Sequence, residues 1–405
     1  MWNFAKKLAL AGVSTLLVAT ASLSAAYNDC YDYNNNYNCC NNASNDFCCG
    51  DWSFEAEFLY WRTYVDELPV GRSFSSTTNA PTTVAIPGDG TISVTNGSSQ
   101  RYFTKYLDPK WRPGTRLTLG YQNPGSCWDW KFAWTWLYSK SKASLTDDAL
   151  LDSEINEPAW ASGATPPFST TGALPILGSR ISGDWGLSYN AFEIGVGYSF
   201  GACCDQFHVR PHFDIKVASI RQKATFRTET AFTGFPVTTP VVGFAPFDLT
   251  DQVQLTRDYV GVGPQIGLDL HYTLCGGLGL YAKAAAALLY AEPQIKFRGK
   301  IKTESPIAAL NYDNNETSRS RSDPRHVNLN TTLGLGLEYS RWICDCSYRV
   351  FFKLGWEHQL YTNQNQFHRA VLAPGAVSGL SDIIFPVENG DLSLYGLTAS
   401  VGFDY

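Results

Sequence analysis

Eleven cysteines and six histidines are the residues of this chain best suited to chemistry, and their spacing narrows what that chemistry can be. Cys30, Cys39, Cys40, Cys48 and Cys49 crowd into one N-terminal stretch, while Cys127, Cys203, Cys204, Cys275, Cys344 and Cys346 sit in or beside short connections between apolar segments. In an oxidising compartment such cysteines form disulfides more readily than metal sites. An odd count leaves at least one thiol for an intermolecular bond. Three readings stay open: pairing within the chain, cross-linking to other copies or other Cys-rich envelope proteins, and zinc. His208 and His212 share one face of a predicted strand but lie about 13 Å apart, too far to share a zinc ion without outside ligands. They are read as satisfied histidines facing a wet interior. His358 and His368 could act as bases, but no nucleophile stands near either at a recognisable spacing. No catalytic, cofactor or metal site is assigned, and the chain is read as not an enzyme.

The charged residues are more telling. Glu55, Glu57, Asp129, Lys131, Arg210, Asp214, Lys216, Asp269, Lys283, Arg349, Lys353 and Glu357 recur at alternate positions, as do His208, His212, Arg116, Glu338 and Asp404. Each lies opposite a run of apolar side chains. Successive side chains of a strand point to opposite faces, so these residues line one face throughout. As the lining of a lumen they comprise eight acids and seven bases. A pore so lined would be weakly ion-selective; in a narrow barrel the same charges would instead pair across the interior.

The elements that position them are strands. From Trp128 to Tyr138 every even residue is a large aromatic: Trp128, Trp130, Phe132, Trp134, Trp136 and Tyr138. Asp129, Lys131, Ala133, Thr135 and Leu137 alternate with them. A strand with lipid on one face and a wet lumen on the other uses this pattern naturally. It recurs at 52–63, 115–121, 207–220, 258–274, 278–291, 327–340, 347–361 and 395–405. The stretch from Trp185 to Phe200 shifts phase near Ala191, which predicts a β-bulge there. Lys296, Arg298, Lys300 and Lys302 oppose Ile295, Phe297 and Ile301 on a further possible hairpin, either an anion-attracting vestibule or a solvated face.

Residues 1–26 read as a secretory signal, with Lys6 and Lys7 before a short apolar stretch and small residues before Tyr27. Residues 27–50 form an Asn- and Cys-rich periplasmic arm, and 51–405 a single barrel. An exported chain without an apolar spanning helix can cross a membrane only as a closed barrel. Removing Lys6 and Lys7 from 31 basic residues leaves 29 against 37 acidic, a balance that argues against nucleic acid as a partner. Short links carry or adjoin the later cysteines; the long links 64–114, 141–184, 221–257, 292–326 and 362–390 carry none. Short periplasmic turns and long external loops place every cysteine on the periplasmic side. The expectation is an all-β, transmembrane, antiparallel up-and-down β-barrel with an even strand number between ten and sixteen.

The segments FEAEFLYWR, WDWKFAWTWLYSKS, VRPHFDIKVASI, GVGPQIGLDL, AAAALLYAE, LGLGLEY, FKLGWEHQLYTNQNQF and GDLSLYGLTASVGFDY together resemble the Legionella-type major outer-membrane protein family, found also in chlamydia-like bacteria. The resemblance runs from Phe54 to the C-terminus and implies a pore-forming protein of the cell outer membrane, without catalytic residues. The Cys-rich arm departs from that pattern and is more similar to the disulfide-linked envelopes of chlamydial major outer-membrane proteins. Tyr405 stands where such barrels usually end in Phe. The reading is a porin passing small hydrophilic solutes and ions by passive diffusion, bounded by outer-membrane lipid and tied by disulfides into the envelope. The alternative is a non-conducting barrel serving as adhesin or scaffold.

Overall fold

The computed structural model describes residues 52–405 apart from 66–67, 78–81, 87–89, 95–98, 124–126, 147–153, 159–179, 203–205, 238–242, 275, 309–310, 322–325, 344–347, 369–370, 373–382 and 385–386. The signal and arm readings at 1–50 lie outside this set, as does every cysteine except Cys127. Ten strands close a barrel: β1 (Trp52–Val65), β2 (Arg112–Gln122), β3 (Trp128–Thr146), β4 (Arg180–Tyr198), β5 (Phe207–Val237), β6 (Gly243–Thr273), β7 (Leu278–Ala291), β8 (His326–Ile343), β9 (Tyr348–His368) and β10 (Val387–Asp404). Each pairs antiparallel with the next in sequence. β10 returns to β1 along a register from Ser53↔Asp404 to Val65↔Leu392. Trp52 and Tyr405 exchange two backbone hydrogen bonds at the seam, 3.0 and 2.8 Å. No ladder edge is left facing lipid, as a spanning sheet requires.

The outer face follows the alternation. Trp128, Trp130, Phe132, Trp136 and Tyr138 of β3 are exposed on it, with Phe192 and Ile194 of β4, Phe213 and Ile215 of β5, and Leu333, Leu335 and Leu337 of β8. From Trp128 to Tyr138 the strand is about 33 Å long. Tilted at about 40°, it stands about 25 Å tall, the height of an outer-membrane apolar band. Short turns gather at the end marked by Trp128 and Tyr405. One of them is made by Gly276 and Gly277 at φ +62° and +84°, a left-handed conformation that side chains disfavour.

Beyond the band the polarity of the wall inverts. In β4 the outward residues change from Phe192, Ile194 and Val196 to Ser188, Asp184 and Ser182, while the inward residues change from Glu193 to Tyr189, Leu187 and Trp185. This corrects the bulge expected at Ala191. Both registers of β4 run unbroken across it, Thr135↔Ala191 on one side and Ala218↔Ala191 on the other. The apolar face changes sides because the strand leaves lipid for water. Below that level apolar side chains must face outward; above it they must face inward, as in a water-soluble barrel.

The same inversion corrects the long link expected at 221–257. β5 and β6 run through it as a paired ribbon, and only 238–242 fall outside the described residues. Its inward residues Ala224, Phe226, Val253 and Leu255 are buried. The hairpin foreseen near Ile295 exists: strand Gln294–Glu304 pairs with Tyr312–Arg321 and with the upper part of β6, rather than adding a spanning pair. A small sheet joins 69–77 and 99–106 of the first long link to 154–158 of the second. The first long link also brings Leu68, Val70 and Leu107 into the buried cluster at the outer end of the interior.

Candidate functional site

The lumen side chains come from the inward positions of all ten strands, and the fourteen pore-lining candidates stand among them. They form ion-paired layers rather than a free lining. Nearest the short-turn end, Arg210 of β5 donates to Asp129 of β3 (Nε–Oδ2, 2.7 Å) and to Asp269 of β6 (2.9 Å). Gly197 makes room for that guanidinium; a Cβ there would stand 2.5 Å from it. Arg349 of β9 pairs with Glu338 of β8 at 2.5 Å and with Asp404 of β10 at 3.4 Å. His208 and His271 lie ring to ring at 5.9 Å, and His271 is 3.5 Å from Glu338. Lys353 meets Glu55 at 3.1 Å, and Ser400 donates to the same carboxylate at 2.5 Å. His212 and Asp214 are hydrogen-bonded at 2.6 Å, with Gln265 donating to Asp214 at 2.9 Å.

At mid-height one carboxylate gathers two cations. Glu357 of β9 is fully buried, accepts from Arg116 of β2 at 2.6 and 2.9 Å, and is ion-paired to Lys283 of β7. Arg116 also reaches Glu57 at 2.7 Å and Thr135 at 2.9 Å. Gln359 donates to Glu357 at 2.8 Å and accepts from Tyr189 at 2.9 Å. Lys216 pairs with Glu193 at 2.9 Å.

Just above lies the contact that closes the interior. Tyr189 of β4 and Tyr361 of β9 share a hydrogen bond of 2.7 Å. β4 and β9 are five strands apart in a ring of ten, so this bond spans the barrel from wall to wall. Around and above it Leu59, Trp61, Leu137, Trp185, Leu187, Leu392 and Leu394 are 0 % exposed. Below it Lys131 and Asp269 keep 41 % and 31 % of their side-chain exposure. The interior therefore divides into a charged lower half that water reaches and a dry upper half of mainly apolar side chains, with Gln222, Thr228 and Arg257 buried among them.

The alternation pattern singled out Glu55, Glu57, Asp129, Lys131, Arg210, Asp214, Lys216, Asp269, Lys283, Arg349, Lys353 and Glu357, which the structure places on the inward wall. It missed Glu193, because the apparent phase shift hid it, and Tyr189 and Tyr361, because a tyrosine reads equally as an interfacial aromatic. It also missed Arg257, placed in a supposed loop. His358 lies against Tyr395 on the outer wall, ring centroids 6.1 Å apart, away from the interior. The Lys296–Lys302 run is a paired face: Lys296 meets Asp258 and Lys300 meets Asp313 at 3.5 and 3.2 Å, and Lys302 pairs with Glu304. Cys127, whose carbonyl accepts from the Ser199 N–H at 3.0 Å, is the one cysteine among the described residues. Cys30, Cys39, Cys40, Cys48, Cys49, Cys203, Cys204, Cys275, Cys344 and Cys346 all lie outside them.

A family model described as the Legionella pneumophila major outer membrane protein precursor matches residues 48–405. No curated protein sequence matches the chain. Among solved structures, similarity extends to the deltaS2S3 mutant of the monoaromatic hydrocarbon channel TodX at 9 % identity, covering 90 % of this chain and 92 % of that one with a TM-score of 0.22. It extends also to a Pseudomonas aeruginosa FadL homologue at 9 % identity, covering 88 % and 90 %, TM-score 0.21. A third is an anion-selective porin from Comamonas acidovorans at 9 % identity, covering 87 % and 100 %, TM-score 0.16. These overlaps are too slight for any property of those proteins to transfer.

Proposed function

Because the chain belongs to the Legionella pneumophila major outer membrane protein family, and so resides in the outer membrane, we propose that it is a gated porin for small hydrophilic solutes and ions. The supporting observation is the division of its interior. A barrel built only as a scaffold gains nothing from a charged wall that water reaches, since buried ion pairs are weak contributors to stability. A pore needs such a wall, and an apolar constriction above it is a known way to gate by dewetting. The Tyr189–Tyr361 bond is a non-covalent latch across that constriction. The scaffold reading is favoured by the full burial of the same layer.

Conductance decides between them. Refolded protein in planar bilayers is expected to show steps, with cation and anion permeabilities within a few-fold of each other. Tyr189→Ala with Trp61→Ala should raise the open fraction. A tenfold rise in the open-to-closed ratio requires only about 1.4 kcal/mol of relative destabilisation of the closed state. Silence from both wild type and the double variant, under conditions that open a control porin, would establish the scaffold.

The finer assignment extends to the envelope. In this reading residues 1–26 direct export, and the arm at 27–50 reaches neighbouring copies or other Cys-rich proteins in the periplasm. The odd number of cysteines, which leaves at least one thiol without a partner inside the chain, supports it. Non-reducing gels of outer membranes should show high-mass species that collapse on reduction. Serine at Cys30, Cys39, Cys40, Cys48 and Cys49 should deplete them more than serine at Cys275. Unchanged ladders in the arm variant would remove the cross-linking role and leave the barrel reading untouched.

A further inference from the structure

We propose that Arg257 and Gln222, on the inner wall of the dry outer chamber, form a binding site for a small carboxylate anion. The two residues are Cα partners across β5 and β6 and face the same side. Arg257 is 1 % exposed, and its Nε and Nη1 are buried with no hydrogen-bond acceptor among the described residues. The carbonyl oxygen of Gln222 is occupied by the indole N–H of Trp185 at 3.2 Å, which leaves its buried NH2 group as a further donor without an acceptor. The walls are apolar: Leu255, Ala224, Ile220 and Ile295 are all at most 2 % exposed.

Every other interior guanidinium with described partners is matched by acids: Arg116 by two, Arg210 by two and Arg349 by two. Among the described residues Arg257 has no such match. The neighbouring Asp258 points outward and pairs with Arg221 and Lys296. Asp251, inward on the same strand, lies about 20 Å along it. A guanidinium taken out of water without a counter-charge is strongly disfavoured, and it presents a planar fork of N–H donors matched to two carboxylate oxygens. The Gln222 amide adds a third donor to that oxyanion. Formate and acetate are the smallest members of the class. Occupancy of this site does not depend on whether the barrel conducts.

The test uses the full mature chain, refolded in a non-ionic detergent, with a bulky sulfonate salt holding ionic strength constant. Titration calorimetry with sodium formate and sodium acetate is expected to show saturable uptake of one anion per barrel. Formate should also raise the urea midpoint, as any ligand of the folded state does. Arg257→Lys keeps the charge and loses the fork, so uptake should weaken by about tenfold or more. Arg257→Met should abolish uptake, and in sulfonate alone it should withstand more urea than wild type, because an unpaired charge has been removed. If Arg257→Met does not fold, Arg257→Lys and Gln222→Ala carry the comparison. Absence of saturable uptake by wild type would overturn the site. So would an Arg257→Met barrel less stable than wild type in both salts, which would mean that a carboxylate of the chain itself neutralises Arg257.

Discussion

Glu357→Ala is expected to destabilise the barrel by about 3–5 kcal/mol, because it strips the counter-charge from two buried cations at once. Of its two acids Arg116 would keep only Glu57, at 2.7 Å. Lys283 would lose the carboxylate it meets inside the lumen. Gln359 would lose the acceptor of its 2.8 Å bond, and with it the orientation in which it accepts from Tyr189. The loss thus spreads from an ion pair to the latch. Urea titration in detergent, scored by the heat-modifiable migration of folded barrels, measures it. Glu357→Gln keeps an acceptor but not the charge and should fall between wild type and Ala. In bilayers the same Ala variant should shift permeability toward anions, since two lumen cations are left uncompensated. A Glu357→Ala barrel as stable as wild type would show that the mid-height cluster contributes nothing to cohesion.

Trp134→Arg should cost about 2–4 kcal/mol by the same measurement. Trp134 belongs to the outward face of β3 and stacks on Phe192 of β4 with ring centroids 6.4 Å apart and planes 13° apart. It lies between the boundary aromatics Trp128 and Tyr138, near the middle of the apolar band. A guanidinium there meets lipid on one side and an apolar neighbour on the other. Thr135→Arg is the instructive contrast. Thr135 is buried inward beside Arg116, to which its hydroxyl is bonded at 2.9 Å, so it fails by crowding and like charge rather than by lipid exposure. Lipid-dissolved oxygen should quench a spin label at 132 or 134 and spare one at 131. A label at 134 reached by aqueous quenchers instead would turn the strand inside out.

The sequence by itself determined the architecture. Period-two alternation admits one assignment of faces per strand, and lipid tolerates no open edge, so strands, closure and the inward set of charges from Glu55 to Glu357 could all be read from residue order. The short links beside cysteines and the long cysteine-free links likewise carried the up-and-down topology. Ten strands lies at the lower limit of the expected range, since the hairpin of Gln294–Glu304 with Tyr312–Arg321 extends the wall above the band on the upper part of β6 rather than adding a spanning pair.

Only the tertiary structure decided what the interior does. Alternation says which face a residue occupies but not its height on the barrel, and chemistry here changes with height. Ala191 looked like a bulge because one unbroken strand passes from lipid to water, exchanging its apolar face as it does. Arg257 and the 221–257 ribbon looked like loop because their inward apolar residues alternate with Thr, Gln and Arg. Tyr189 and Tyr361 are 172 positions apart. Strand closure brings them to opposite walls at one level, and no local pattern encodes a distance across a lumen. Whether charges line water or one another is set by the bore, and the bore follows from strand number and register, which are properties of the closed sheet.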